Sequence, residues 1–304
     1  MAVDAARSEE GFTSAGAARV MVAACRAAGL DDRGAELIRL GENALFRLAS
    51  VPVVVRVARG EEWLPKARRE VAVSHWLTGE GFPATRAVED LEQPLLVDGH
   101  PVTFWHLIVE GDREATYGEL GGILRDLHSL TVSAGLDLPS YRPFEKSELR
   151  LERARIPADD KAFLRKRERE LRDKFAELRF ESAKGPVHGD AHVQNLMVND
   201  QGQVILIDFE YFCFDHPEWD LMVTAVEHHS LRWQTDEQYA DFVSAYGRDL
   251  YDWHGYDTLR GLQEFGMTTW LMQNVQESET VAAEYRRRID ALRDDDAPRD
   301  WRPW

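Results

Sequence analysis

The first third of this chain is rich in strand-like apolar patterns and the remainder is rich in helical ones, and that contrast limits the folds available to it. Before residue 111, β-branched runs such as 51–57 alternate with turn residues, which predicts strands and hairpins. Beyond it, apolar residues recur at helical spacing, as in 117–130. We therefore predict an α+β fold of two lobes, a small antiparallel-sheet lobe in 1–111 and a larger, mainly helical lobe in 112–304.

The charge balance bears on possible partners. Asp and Glu total 54 against 37 Lys and Arg, a formal net charge of −17. An acidic surface repels nucleic acids and anionic membranes, so we expect neither as a partner, whereas a cationic substrate is compatible with it. The two cysteines have no metal-ligand neighbours, and the first residues lack the apolar stretch of a signal peptide, so we expect a cytoplasmic protein. Monomer and homodimer are both compatible with the sequence.

A hairpin with polar ends is predicted in the second half of the chain. The apolar runs 196–198 and 204–207 flank the turn residues Asn-Asp-Gln-Gly at 199–202. Asn195 precedes the first run and Asp208 follows the second, so both are expected at the open end of the hairpin. Amide and carboxylate oxygens suit Mg²⁺, which takes few protein ligands and completes its shell with water and phosphates. We predict that Asn195 and Asp208 are metal ligands.

A second carboxylate lies in the loop just before this hairpin. Asp190 is positioned to accept the proton of a hydroxyl group, which complements two metal ligands in phosphoryl transfer. Taken singly, Asp190, Asn195 and Asp208 are each more typical of residues that cap a loop at the end of a hairpin. Only the combined pattern favours catalysis. We expect His188 to be structural, and His192 is equally compatible with loop support and with phosphate contact.

These motifs carry a family resemblance. His188-Gly-Asp-Ala-His-Val-Gln-Asn195 and Ile207-Asp-Phe-Glu210 resemble the catalytic loop and metal-binding motif of the aminoglycoside phosphotransferase family, which includes choline-, homoserine- and methylthioribose-kinase-like enzymes. The resemblance covers about 37–225. It implies a protein-kinase-like fold, nucleotide binding in the first lobe, catalysis and substrate binding in the second, and ATP or GTP with Mg²⁺ as cofactors. It also implies that Asp220 supports the catalytic loop.

The resemblance assigns further roles in the first lobe. Arg56 lies in Val-Val-Arg-Val, in the strand whose cation binds the nucleotide phosphates, where the protein-kinase pattern has lysine. Glu70, on the apolar face of the predicted helix 62–77, resembles the residue that holds this cation. Leu107 and Val109 lie in the segment whose backbone binds adenine. By itself, Arg56 is equally typical of a surface residue.

The function expected is phosphorylation of a hydroxyl on a small molecule, such as an aminoglycoside antibiotic in a resistance enzyme. A metabolic kinase of an amino alcohol or sugar is the alternative. A nucleotide-binding pseudokinase is disfavoured because Asp190, Asn195 and Asp208 are all present. A protein-substrate kinase is disfavoured because no Ala-Pro-Glu signature follows Asp208. Acidic residues after Asp220, Glu227 among them, would suit an amine. The aromatic end 299–304 is compatible with folding back or with self-association.

Overall fold

The computed structural model describes residues 12–294 and 297–303 and divides the chain into two compact units. Of the described residues, the first unit comprises 12–115, 132–138 and 194–212, and the second contains the others. The hairpin segment 194–212, which lies within the predicted second lobe, thus belongs to the first compact unit. The nucleotide-binding and catalytic roles of the two predicted lobes stay predictions.

The secondary structure follows the predicted change from strands to helices. The elements in chain order are α1 (Ser14–Ala28), β1 (Glu36–Leu40), β2 (Asn43–Arg47), β3 (Val53–Ala58), α2 (Leu64–Gly79), β4 (Leu95–Val97), β5 (His100–His106), α3 (Tyr117–His128), α4 (Ser147–Arg153), α5 (Ala158–Glu177), β6 (Gly185–Val187), β7 (Leu196–Val198), β8 (Val204–Leu206), β9 (Cys213–Asp215), α6 (Glu218–His229), α7 (Asp236–Tyr246), α8 (Tyr256–Leu271) and α9 (Glu279–Arg293). None of the described helices is long and apolar enough to cross a bilayer.

The first unit is built on a five-stranded antiparallel sheet with strand order β1-β2-β3-β5-β4. In β3, Val53, Val55 and Val57 are buried and pack in one core cluster with apolar residues of α1. Side chains alternate between the two faces of a strand, so Val54 and Arg56 point to the other face. There Val54 packs beside Val71 of α2. The strand period therefore directs Arg56 toward α2.

The strand β5 ends earlier than the apolar pattern predicts. A strand over 102–109 is expected from sequence, but β5 ends at His106. The amide of Leu107 donates to Pro52 O (2.8 Å) in register with the β3–β5 pairing, but Pro52 has no N–H with which to continue the ladder. The prediction of strand structure at 107–109 is therefore wrong, because the partner strand β3 begins only after this proline.

The second unit contains helices α3 to α9 and the short pair β6–β9. Its C-terminal segment packs back on the helices. Trp301 is buried, its carbonyl accepts from Trp233 Nε1 (2.7 Å), and its ring lies 5.2 Å from the Arg288 guanidinium. Of the two alternatives for this end, folding back is observed for 297–303, and Trp304 lies outside the described residues.

The contact between α3 and α7 requires a glycine. A Cβ on Gly121 would lie 2.4 Å from Phe242 O and 3.2 Å from Ala245 Cβ. At Gly122, the next residue of the same helix, a Cβ would have no neighbour within 4 Å. These adjacent positions therefore differ in packing within the same helical backbone.

We expect Gly121→Ala to lower the free energy of unfolding by about 1–3 kcal/mol, because the added methyl group forces two helices apart. Gly122→Ala is the matched control and should leave stability unchanged or raise it by up to about 1 kcal/mol, since alanine favours helix. Urea denaturation of both variants measures the difference. Equal stability of the two variants would contradict the packing argument.

Candidate active site

The hairpin β7–β8 brings the two predicted metal ligands to one end. Leu196 pairs with Leu206, and Ile207 N donates to Asn195 O (3.0 Å), so Asn195 and Asp208 flank the open end of the ladder. Asn195 is buried. Asp208 has φ +66°, a left-handed conformation that costs free energy in a non-glycine residue and tends to occur at functional sites. The carboxylate and amide oxygens at this end fit the preference of Mg²⁺ for hard oxygen ligands.

Arg56 is held by partners on two sides. Its Nη1 donates to Glu70 Oε2, and its Nη2 donates to Glu70 Oε1 (3.3 Å). With its carboxamide oxygen facing the guanidinium, Asn43 accepts from Arg56 Nε (3.1 Å) and Nη2 (3.0 Å). The pairing of Arg56 with Glu70 expected from sequence is thus present, and it is reinforced by an asparagine that sequence reasoning did not assign.

Other carboxylates act on this ion pair. The pKa of Glu70 is raised to about 7, chiefly by burial, with Arg56 lowering it and Asp208 and Glu210 adding to the rise. Burial disfavours the charge of Arg56, yet the carboxylates of Glu70, Asp208 and Glu210 together raise its pKa. The predicted metal ligand Asp208 is therefore electrostatically coupled to the predicted phosphate-binding residue Arg56. This coupling lies wholly within the first unit.

A second ion pair in the same unit was missed by sequence reasoning. Lys66 Nζ donates to Glu210 Oε1, and Arg69 Nη2 donates to Glu210 O (2.9 Å). Two sequence signals point to these residues. Lys66 precedes Glu70 by four residues, so both lie on one face of α2, and Glu210 follows Asp208 by two.

The predicted adenine-binding segment offers one acceptor and one donor. Leu107 uses its amide on Pro52 O, and Val109 uses its carbonyl to accept from Asp200 N (2.9 Å). Within the described chain, the Leu107 carbonyl and the Val109 amide have no hydrogen-bond partner. Adenine has an amino donor beside a ring-nitrogen acceptor, so this pair of backbone groups is complementary to it.

In the second unit, Asp220 anchors the loop that carries Asp190. Its Oδ2 accepts from His188 N (2.8 Å), its Oδ1 accepts from Gly189 N (2.8 Å), and His128 Nε2 lies 2.9 Å from Oδ2. The carboxylate is fully buried, and Gly189 has φ +83°. Because one carboxylate holds two successive amides, the backbone before Asp190 is rigidly oriented.

Asp190 itself remains accessible on this anchored loop. Its side chain is 44% exposed, and its carbonyl accepts from His192 N (3.1 Å). His192 Nε2 lies 3.5 Å from Asp190 Oδ2. An accessible carboxylate on a fixed backbone is what a general base requires. The contacts of His192 with Asp190 agree with loop support, and they leave a phosphate contact open.

The partly buried carboxylate of Glu227 lies within electrostatic reach of Asp190 in the same unit. Burial raises the pKa of Glu227, a hydrogen bond from Gln234 and the charge of His192 lower it, and Asp190 raises it. Gln234 Nε2 donates to Glu227 Oε2 (2.7 Å), while the buried Gln234 Oε1 has no partner among the described residues. Burial and the Glu227 carboxylate raise the pKa of Tyr117 to about 12. Glu227 is thus a partly buried carboxylate whose ionisation depends on the charges around it.

The predicted residues are divided between the units. Those in the first unit are Arg56, Glu70, Leu107, Val109, Asn195 and Asp208. Asp190 lies in the second, with its supporting residue Asp220. The catalytic, nucleotide-binding and metal-binding roles assigned to them from sequence stay predictions.

Comparison with known proteins defines the class. The model of the phosphotransferase enzyme family matches residues 36–262. The chain therefore belongs to this family of small-molecule phosphotransferases, and the resemblance seen in the sequence motifs is confirmed. No curated protein matches the chain.

Solved structures share the fold at low sequence identity. An amicoumacin kinase in complex with AMP-PNP, Ca²⁺ and Ami has TM-score 0.70 and 16% identity, covering 99% of this chain and 98% of its own. A microcompartment-associated aminopropanol kinase has TM-score 0.69 and 20% identity, covering 90% and 94%. Choline kinase LicA from Streptococcus pneumoniae has TM-score 0.62 and 17% identity, covering 90% and 98%. These similarities confirm the predicted α+β, protein-kinase-like fold.

Removing the charge of Asp220 should loosen the loop that carries Asp190. We expect Asp220→Asn to lower the free energy of unfolding by about 1–3 kcal/mol, because the amide that replaces one oxygen cannot accept from a buried N–H. Hydrogen exchange should accelerate in peptides containing His188 and Gly189. Asp241→Asn, at an exposed position of α7, is the control. Unchanged exchange at the loop would contradict the anchoring role.

Proposed function

We propose that this protein is an ATP- or GTP-dependent phosphotransferase that transfers the terminal phosphoryl group to a hydroxyl of a small molecule. The observation that carries the proposal is the coupling of Asp208, held in a left-handed backbone conformation, to the buried pair of Arg56 and Glu70. A carboxylate at a strained position beside a cation suits a nucleotide phosphate that arrives with its metal.

The nucleotide would be bound by residues of the first unit. The Leu107 carbonyl and the Val109 amide supply the acceptor and donor for the base. Arg56 binds phosphate oxygens, and Glu70 holds its guanidinium in place. Arginine has a fixed fork of donors, so its contact with phosphate is more directional than that of lysine.

The chemistry would need a metal and a base. Asn195 and Asp208 would hold Mg²⁺, which supplies charge neutralisation to the phosphates when bound. Asp190 accepts the proton of the substrate hydroxyl as its oxygen forms a bond to the terminal phosphorus. The bond from that phosphorus to the bridging oxygen breaks, and the nucleoside diphosphate leaves. Asp220 keeps the loop of Asp190 in position.

The substrate class proposed is a hydroxyl compound that carries a positive charge. Glu227 is a partly buried carboxylate within electrostatic reach of Asp190, and Gln234 Nε2 donates to one of its oxygens. An ammonium group beside this carboxylate would favour ionised Glu227. An aminated antibiotic such as an aminoglycoside fits this chemistry. An amino alcohol fits it equally, and the names of the aminopropanol and choline kinases point in that direction.

Two substitutions separate the base from the metal ligand. Asp190→Ala should reduce transfer by about 10²–10⁴-fold and leave Mg·ATP affinity near the wild-type value, since a positioned base is lost. Asp208→Asn should weaken Mg·ATP binding itself, because a neutral amide replaces a charged ligand. Nucleotide consumption is measured against a panel of aminoglycosides, amino alcohols and sugars, and affinity by titration calorimetry.

Near wild-type turnover of Asp190→Ala would refute the role of Asp190. Identical Mg·ATP affinity in the wild type and Asp208→Asn would refute the metal site. Nucleotide binding without turnover of any hydroxyl compound would favour a pseudokinase.

The charge of the substrate is tested at Glu227. We expect Glu227→Gln to raise the KM of an amine-bearing substrate by about ten- to hundredfold with little change in kcat, because a charged hydrogen bond is lost. The same change should have no effect on a substrate analogue in which hydroxyl replaces the amine. Glu237→Gln, exposed on α7, is the control. A KM for the amine unaffected by Glu227→Gln would contradict this assignment.

A further inference from the structure

Lys66 lies in a position that the roles described so far do not explain. It is a residue of the first turn of α2, and its side chain is 25% exposed. Its Nζ donates to Glu210 and lies 4.5 Å from the centroid of the Trp63 ring and 5.1 Å from that of Tyr211. The ammonium group is therefore held at a defined place rather than extended into solvent.

Lys66 shares a cavity with Arg56. The lining of this cavity includes Asn43, Arg56, Trp63, Lys66, Glu70 and Thr103. All of these residues belong to the first unit. The cavity is small, and an anion bound to Arg56 beside it would lie near the second cation as well.

The two cations differ in the donors they have left. A guanidinium has five N–H donors. The Nε donor of Arg56 and one Nη2 donor are directed to Asn43. The other Nη2 donor and one Nη1 donor are directed to Glu70, so one Nη1 donor remains. An ammonium group has three donors, and Lys66 has one hydrogen-bond partner, Glu210, within the described chain. Lys66 thus has more capacity to bind an incoming anion than Arg56.

The place of Lys66 on α2 also favours an anion. It is the third residue of the helix, where the positive end of the helix dipole disfavours a cation, and the first turn has no acidic residue. The carboxylate of Glu210 compensates the charge of Lys66 and the positive end of the helix dipole. A phosphate group could replace Glu210 in this role, since the ammonium group is a point charge on a flexible stem whose donors rotate freely.

We propose that Lys66 is a second phosphate ligand of this site, which exchanges Glu210 for an oxygen of the terminal phosphates of a nucleoside triphosphate. Trp63 lies beside the ammonium group and keeps it near the cavity during the exchange. The inference rests on the proposed function, because it assumes that the cavity of Arg56 receives nucleotide phosphates.

The test compares ligands that differ only in their phosphates. Titration calorimetry of the full chain with adenosine, Mg·ADP and Mg·ATP gives three affinities for each variant. For Lys66→Met we expect the affinity for Mg·ATP to fall by about ten- to hundredfold, the size of a lost charged hydrogen bond, while that for adenosine is unchanged. Lys66→Arg should retain most of the Mg·ATP affinity.

Two further variants serve as controls. Arg68→Met removes the same charge from an exposed position two residues along α2 and should behave as the wild type. Lys66→Gln can still donate to Glu210 but is neutral, so it should reproduce the loss seen in Lys66→Met even if that variant folds poorly.

The outcomes are distinguishable. Unchanged Mg·ATP affinity in Lys66→Met and Lys66→Gln overturns the inference. Equal losses for adenosine and Mg·ATP also overturn it, because they would show that Lys66 only supports the fold of the cavity. A wild-type chain that binds no nucleotide refutes the proposed function instead.

Discussion

The buried ion pair of Arg56 and Glu70 is the interaction on which the candidate site of the first unit depends. The sheet contributes the cation from β3, and α2 contributes the carboxylate. Removing one partner of such a pair leaves an uncompensated buried charge, which typically costs about 3–5 kcal/mol. Glu70 therefore fixes Arg56 in place, and Asn43 completes the arrangement from β2. The orientation of the Arg56 guanidinium follows from these contacts.

Charges of both signs surround this pair. Glu70, Asp208 and Glu210 all act on Arg56, while Lys66 and Arg69 both donate to Glu210. Under the proposed function, the metal ion would add positive charge beside the carboxylates and the phosphates would bind the cations. The contact with Glu210 holds Lys66 beside the pair.

In the second unit, a buried carboxylate fixes the backbone of a loop. Asp220 satisfies two successive backbone amides, so the chain leading to Asp190 is held by one buried carboxylate. Asp190 can then remain half exposed without losing its orientation. Glu227 shows the opposite effect of partial burial, which makes a carboxylate harder to ionise.

Local patterns in the sequence determined much of this protein. Apolar runs around a turn predicted the hairpin β7–β8, and helical spacing directed Glu70 inward, because periodicity encodes which face of an element is buried. Only the tertiary structure decided the contact of Lys66 with Glu210, 144 residues away, and the pairing that places Pro52 opposite Leu107 at the end of β5. Such pairs depend on how separate elements pack, and no period within one element specifies its partner.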